Sequence, residues 1–257
     1  MSWKYLGMSS GEMPFLDHLE ELRWRLLWSL AALIVCTIVG FLLVTNFNVL
    51  GILEAPIAPF LDDSKLKYLS PIDPFFVTLK LALVIGVILA SPLIIYQIWA
   101  FLSPALQPEE KRAIVPALYF GLVLFLCGVA MAYYIALPAT LQFTMGFQTE
   151  SLEQSIVISH YLSFVTQLLL AFGIVFELPV LILTLTFMGL VTPEFLAEKR
   201  RHAIALITVG SAVITPGDVV TITLLMMIPL ILLYELSITL SRLVVRRRRL
   251  AALAAES

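Results

Sequence analysis

His18-Leu-Glu-Glu-Leu-Arg-Trp-Arg25-Leu-Leu-Trp-Ser-Leu-Ala-Ala-Leu-Ile-Val-Cys-Thr-Ile-Val-Gly-Phe-Leu-Leu-Val44 sets four charges within six residues, Glu20 to Arg25, directly against nineteen residues with none. A bilayer core of about 30 Å needs roughly 20 apolar residues of helix. The run from Leu26 is therefore a membrane span, and the charged stretch sits at its mouth. Glu20 and Glu21 stand where membrane proteins usually place cations. That points to work at the membrane surface, with a positively charged group as the thing received.

The rest of the chain agrees. Of 257 residues, 60% are hydrophobic and 13% charged, with a mean hydropathy of +0.99. A soluble domain carries about half apolar and a quarter charged residues, so this composition excludes one. Further apolar runs give spans at about 24–44, 75–100, 114–136, 161–188, 203–216 and 220–241. The whole, 1–257, reads as a single all-α membrane domain. Cys36 and Cys127 lie inside apolar runs without metal-ligand spacing and read as small buried hydrophobes. Met1 to Pro14 lacks the three-part pattern of a removable signal peptide, and none is expected.

Lys and Arg fix the expected orientation. Lys4, Arg23, Arg25, Lys111, Arg112, Lys199, Arg200, Arg201, Arg242 and Arg246 to Arg249 place thirteen cations on one side. The other side has Lys65, Lys67 and at most Lys80, three in all. Both termini and the loops near 101–113 and 189–202 are then cytoplasmic, while the loops near 45–74 and 137–159 face outward. The fifth run, Ala203 to Pro216, has fourteen residues and rises only about 21 Å. The short hairpin Thr215-Pro-Gly-Asp218 joins it to the sixth, so the pair reaches only partway unless the bilayer thins to meet it. Prolines 92, 116, 138, 179 and 229 predict kinks and a curved bundle with a concave face.

Three groups of residues carry possible chemistry. Glu20 reads as a helix-start residue in an Asp17-x-x-Glu20 capping pattern, and Glu21 with Arg25 as an i,i+4 pair. Glu21 and Arg23 lie at the bilayer edge, where a partly desolvated carboxylate can bind a guanidinium through two parallel hydrogen bonds. The loop Tyr96-Gln-Ile-Trp-Ala-Phe101-Leu-Ser-Pro104-Ala-Leu106, ending in Glu109 and Glu110, offers a second pair of acids on the same side. Glu177 lies deep in an apolar run, where an acid is costly and by default functional or cavity-facing; Gln97 or a Thr or Tyr neighbour would be its structural partner. Glu235 is expected to snorkel or to pair, and Gln167 to bond a neighbouring helix. Asp218 suits a turn or cap, and Arg246 to Arg249 a lipid-facing stop. His160 and His202 are isolated, and His18-Leu-Glu-Glu-Leu lacks the second histidine of a zinc-protease motif. No metal, cofactor or catalytic constellation is expected, and no enzyme.

The motifs His18-Leu-Glu-Glu-Leu-Arg23, Glu54-Ala-Pro56, Ser91-Pro-Leu-Ile-Ile-Tyr-Gln-Ile-Trp-Ala-Phe101, Pro104-Ala-Leu, Glu110-Lys-Arg112, Ala171-Phe-Gly173 with Phe176-Glu-Leu-Pro179, and Thr215-Pro-Gly-Asp218 run in order along the chain. In this they resemble the TatC family, the multispanning subunit of the twin-arginine translocase, from about His18 to Arg242. The resemblance implies a six-span receptor in the bacterial cytoplasmic (inner) membrane, with both ends inside. It would bind the paired arginines of signal peptides on folded cargo and recruit the single-span TatA and TatB within a larger complex, driven by the proton gradient. It implies that Glu21 and Glu110 meet the two guanidiniums, that Arg23 and Phe101 shape that patch, and that Pro56 holds the outer loop. It further implies that Glu177 lines the concave face and that spans five and six form a partner docking surface. Family members often carry a Ser-Gln pair after the Thr-Pro turn; here Ile222 stands where the glutamine is expected, with Thr215, Thr221 and Thr223 nearby.

Two acids on two cytoplasmic elements suit a ligand with two forks, and would separate arginine from lysine by geometry. The rival reading is a proton-coupled transporter of a small solute or ion using Glu177. Transporters commonly show inverted repeats, and none is visible here. A purely structural scaffold would leave the cytoplasmic acids without a role.

Overall fold

The computed structural model describes residues 15–61, 66–102, 114–146, 155–214 and 220–256. Among them, the elements are helices joined by short connectors. Helix α1 covers Phe15–Asn46 and α2 Val49–Glu54, followed by a 3-10 turn at Ala58–Phe60. Helix α3 covers Asp73–Leu102, and α4 Ile114–Met131 runs through a π turn, Ala132–Ala136, into α5, Leu137–Gly146. Then come α6 Ile158–Phe176, α7 Leu178–Phe187, α8 Pro193–Glu198, α9 Arg200–Ile214 and α10 Val220–Glu256. Among the described residues, five helical stretches are long and apolar enough to cross a membrane: His18–Asn46, Asp73–Leu102, Pro116–Gly146, Ile158–Phe187 and Met226–Arg246. With no water to serve backbone groups, helix is the form such sequences can take there. Helix α9, fifteen residues long, rises only about 22 Å.

The first helix begins earlier than its apolar run. Starting at Phe15, it makes the charged stretch its own opening turns and places Asp17 inside the helix, where a capping-box residue would stand before it. Helix α1 packs chiefly on α3, and both supply small residues at the crossing. A Cβ on Gly40 would stand 2.5 Å from the Ala82 carbonyl oxygen, and one on Gly86 2.5 Å from Thr37 Oγ1. Small residues are what allow membrane helices to approach this closely.

Proline positions are locally answered. Pro92 lies inside α3 and has no N–H to give the carbonyl four residues earlier. The Ser91 hydroxyl takes that place, donating to Ile88 O at 2.8 Å. The π turn lies directly ahead of Pro138, as such widened turns do where the regular ladder is interrupted. Pro179 occupies the first turn of α7, where its missing N–H would be unpaired anyway.

The main core lies away from the charged stretch. Ile57, Leu81, Leu137, Leu162, Leu168 and Phe172 are buried there, drawn from α3, α5, α6 and the connector between α1 and α3. Two tyrosines pin that connector: Tyr133 Oη donates to Ile52 O at 2.6 Å and Tyr161 Oη to Leu53 O at 2.7 Å. Pro56 sits between the pinned segment and the buried Ile57. Lys67 exchanges backbone bonds with Ile156 and Ile158, tying this connector to the one that precedes α6. At the opposite end, Tyr234 Oη donates to Leu196 O at 2.7 Å, Arg200 pairs with Glu235 at 2.9 Å, and the hydroxyls of Thr186 and Ser241 share a buried bond at 2.9 Å. These fasten α7, α8 and α9 to α10.

Candidate binding site between the first and third helices

The early start of α1 carries Glu21 and Arg25 onto one face, one turn apart. Arg25 Nη2 donates to Glu21 Oε1 at 2.9 Å, so the expected i,i+4 pair is made. The guanidinium also reaches across to α3: Nη1 donates to Gln97 Oε1 at 3.2 Å, and Nη2 approaches Ala100 O at 3.5 Å. The side chains are only 21% (Glu21) and 30% (Arg25) exposed. They are shielded enough to matter more than a fully solvated surface pair. Among the described residues, Glu21 Oε2 is buried with no hydrogen-bond partner. A buried carboxylate oxygen with no donor carries the full cost of its lost hydration.

One turn earlier, the His18 ring stacks on Phe101 with centroids 4.3 Å apart and an angle of 16° between planes. Phe101 thus borders the same corner as Glu21. Arg23 and Glu20 are exposed. Glu110 lies outside the described residues, as does Asp218, and so do Glu109, Pro104 and the Thr215-Pro-Gly turn. Glu21, Arg25, Gln97, Ala100, His18 and Phe101 are therefore the part of the corner that the structure brings together.

The other side of the same last turns of α3 faces a cavity of about 320 Å³. Ile98, Trp99 and Leu102 line it from α3, with Val175, Glu177 and Thr184 opposite. Glu177 is the residue at which the fourth long span is interrupted: α6 ends at Phe176 and α7 begins at Leu178. Its carboxylate lies against Gly121 of α4, and among the described residues Oε1 is buried without a hydrogen-bond partner. The acid is cavity-facing, as the sequence suggests. Gln97 is not its partner, because Gln97 is engaged by Arg25 on the opposite side of α3.

Two things were missed in the sequence: the bond from Arg25 to Gln97 and the stack of His18 on Phe101. Both cross between helices some seventy to eighty residues apart, a distance that no local spacing rule covers. The one available signal is that His18 and Gln97 are polar residues beside apolar runs. The structure also changes the expected fork. Glu21 has one oxygen committed to Arg25, so its two oxygens do not stand free together.

A family model for the Sec-independent protein translocase protein (TatC) matches residues 17–229. The chain belongs to the TatC family. Residue 17 opens that match one position before the His18 motif, so the corner built here falls inside the family's shared region. Among relatives, the Sec-independent protein translocase protein TatC of Aquifex aeolicus (strain VF5) is 40% identical over 239 residues, covering 92% of this chain and 98% of that one. The TatC protein of Escherichia coli (strain K12) is 37% identical over 239 residues, covering 92% and 91%. A crystal structure of a twin-arginine translocase receptor, TatC, superposes with a TM-score of 0.77 at 41% identity, covering 88% of this chain and 98% of that one. A second, of the same receptor in DDM, gives 0.78 at 40% identity, covering 87% and 99%. The TatC family is one of protein-translocase components.

Proposed function

We propose that this chain is the signal-peptide receptor and core subunit of a twin-arginine translocase, binding the paired arginines of folded cargo on its cytoplasmic face. The observation that carries the reading is Glu21 Oε2, an acceptor buried without a donor at the mouth of the first span of a TatC-family chain. Glu110 is the second acid, with Arg23 and Phe101 shaping the patch. TatA and TatB are the single-span partners, meeting the surface of α9 and α10, and the proton gradient supplies the energy. Pro56 steadies the connector, Glu177 gives the concave face its polar group, and Asp218 serves the turn between the last two spans.

The proposed topology has six spans in one domain, with α9 and α10 as the fifth and sixth and both termini in the cytoplasm of the bacterial inner membrane. Thirteen cations against three support it. The outward connectors are then those near 45–74 and 137–159.

The test uses full-length protein in detergent with immobilised signal peptides. A twin-arginine peptide should be retained and its twin-lysine version released. Glu21→Ala and Glu110→Ala should each weaken retention far more than Glu20→Ala. Retention that depends on Glu20 and on neither of the others overturns the assignment, and equal indifference to both peptides favours a transporter.

A further inference from the structure

Arg25 is held from two helices. Glu21 Oε1 accepts from it along α1, while Gln97 Oε1 and the Ala100 carbonyl accept from it on α3. A pair one turn apart on a single helix is weak and easily exchanged. A guanidinium also anchored on a neighbouring helix is not free to swing away from its carboxylate, so Oε1 is committed. Oε2 is in the opposite condition, buried and without a donor. It is the position where an arriving N–H group gains most.

We propose that Arg25 is a specificity-determining positioning residue: by keeping Glu21 Oε1, it leaves that carboxylate one oxygen to offer a ligand. The inference rests on the reading of Glu21 as part of the signal-peptide site. An arginine arriving at Glu21 is met there by one charge-assisted hydrogen bond, and not by two parallel ones. The advantage of arginine over lysine lies in its planar fork, which needs both oxygens of the acceptor. Glu21 therefore reads the ligand's charge, and strict preference for arginine falls to the site's other contacts. Arg25 also adds a fixed positive charge beside the ligand, so the corner accepts a further cation only when that cation reaches Oε2.

The experiment measures affinities of four peptides, Arg-Arg, Lys-Arg, Arg-Lys and Lys-Lys at the paired position, for the full-length protein in detergent. Wild type is compared with Arg25→Gln, Gln97→Leu and Glu21→Gln. Arg25→Gln releases Oε1 and lets the carboxylate accept a fork. The penalty for lysine at the peptide position that meets Glu21 should then grow by about tenfold, the weight of one further charge-assisted bond. The penalty at the other position should stay as it was. Gln97→Leu loosens Arg25 from α3 and should shift the same ratio in the same direction by less. These ratios compare peptides on one preparation, so a lower folded fraction does not move them. If Glu21→Gln weakens every peptide while neither Arg25→Gln nor Gln97→Leu changes a ratio, the proposal is overturned and the receptor site stands. If Glu21→Gln changes nothing, the site itself is wrong and the proposal falls with it.

Discussion

The carboxylate of Glu177 lies against Gly121: a Cβ on that glycine would stand 3.0 Å from Oε2 and 3.4 Å from Oε1. The fold has cleared room for an acid and given Oε1 no donor. Such a group opposes folding and persists in membrane helices where function requires it. Glu177→Met, of similar length, should therefore raise stability in detergent by about 1–3 kcal/mol while lowering transport. Gly121→Val, which crowds the Glu177 carboxylate while leaving residue 177 itself unchanged, should lower transport, and Gly121→Ala should be tolerated because the end of the Glu177 side chain can shift slightly. Thermal unfolding read beside a transport assay checks all three. A Glu177→Met variant less stable than wild type would reveal a stabilising partner for the acid.

Tyr161 holds Leu53 O from a buried position, whereas Tyr133 holds Ile52 O from a more accessible one. A buried carbonyl that loses its donor costs about 1–3 kcal/mol, and one that water can reach costs less. Tyr161→Phe should thus destabilise the protein more than Tyr133→Phe. Denaturation of the two variants under one detergent condition gives the order, and the reverse order would contradict the burial argument.

At the crossing of α1 and α3, Gly86 faces the backbone of Thr37, with a Cβ placed 2.7 Å from Thr37 Cα and 2.8 Å from its nitrogen. Backbone cannot rotate aside as a side chain can. Gly86→Ala should cost about 1–3 kcal/mol through forced separation of the helices. The double variant with Thr37→Ala should recover little, because the atoms in the way remain. Full recovery would mean that the hydroxyl alone sets the spacing.

Arg200 and Glu235 pair at 2.9 Å, but their side chains are 45% and 43% exposed. Exposed pairs contribute about 0–1 kcal/mol and are screened by salt. A double-mutant cycle on this pair should give a coupling below about 1 kcal/mol, smaller still at high ionic strength. The neighbouring Tyr234→Phe should cost more, since it strips the Leu196 carbonyl of a buried donor. A larger coupling for the ion pair would show that the surrounding bilayer or a partner shields it.

Much of this was legible in sequence because the bilayer imposes one rule on the whole chain. Long uncharged runs such as Leu26 to Val44 can only be helices, and their existence follows without knowing any contact. The Glu21–Arg25 pair was also legible, being a matter of helical spacing. Start positions were less so: nothing local shows that α1 begins at Phe15, since Asp17 and Glu20 also satisfy the capping pattern of a helix that begins after Asp17. Contacts across helices were not legible. By sequence Gln97 is expected as a partner for Glu177, and only the rotation of α3 shows that it meets Arg25 instead. The break at Glu177 was foreshadowed by Pro179, while the clearance at Gly121 lies more than fifty residues away and carries no mark in the sequence.

The close crossing of α1 with α3 has a consequence for how the molecule is made. Helix α1 is synthesised before α3, the next long helix in the chain, and packs chiefly against it. Both the glycine crossing and the hold of Arg25 on Gln97 and Ala100 are complete once Leu102 has been synthesised. No later helix is needed for them. The described part of the corner around Glu21 is thus carried by one helical hairpin, which should form before the remaining bundle is added; crosslinking α1 to α3 in nascent chains halted far enough beyond Leu102 for α3 to have left the ribosome would show it.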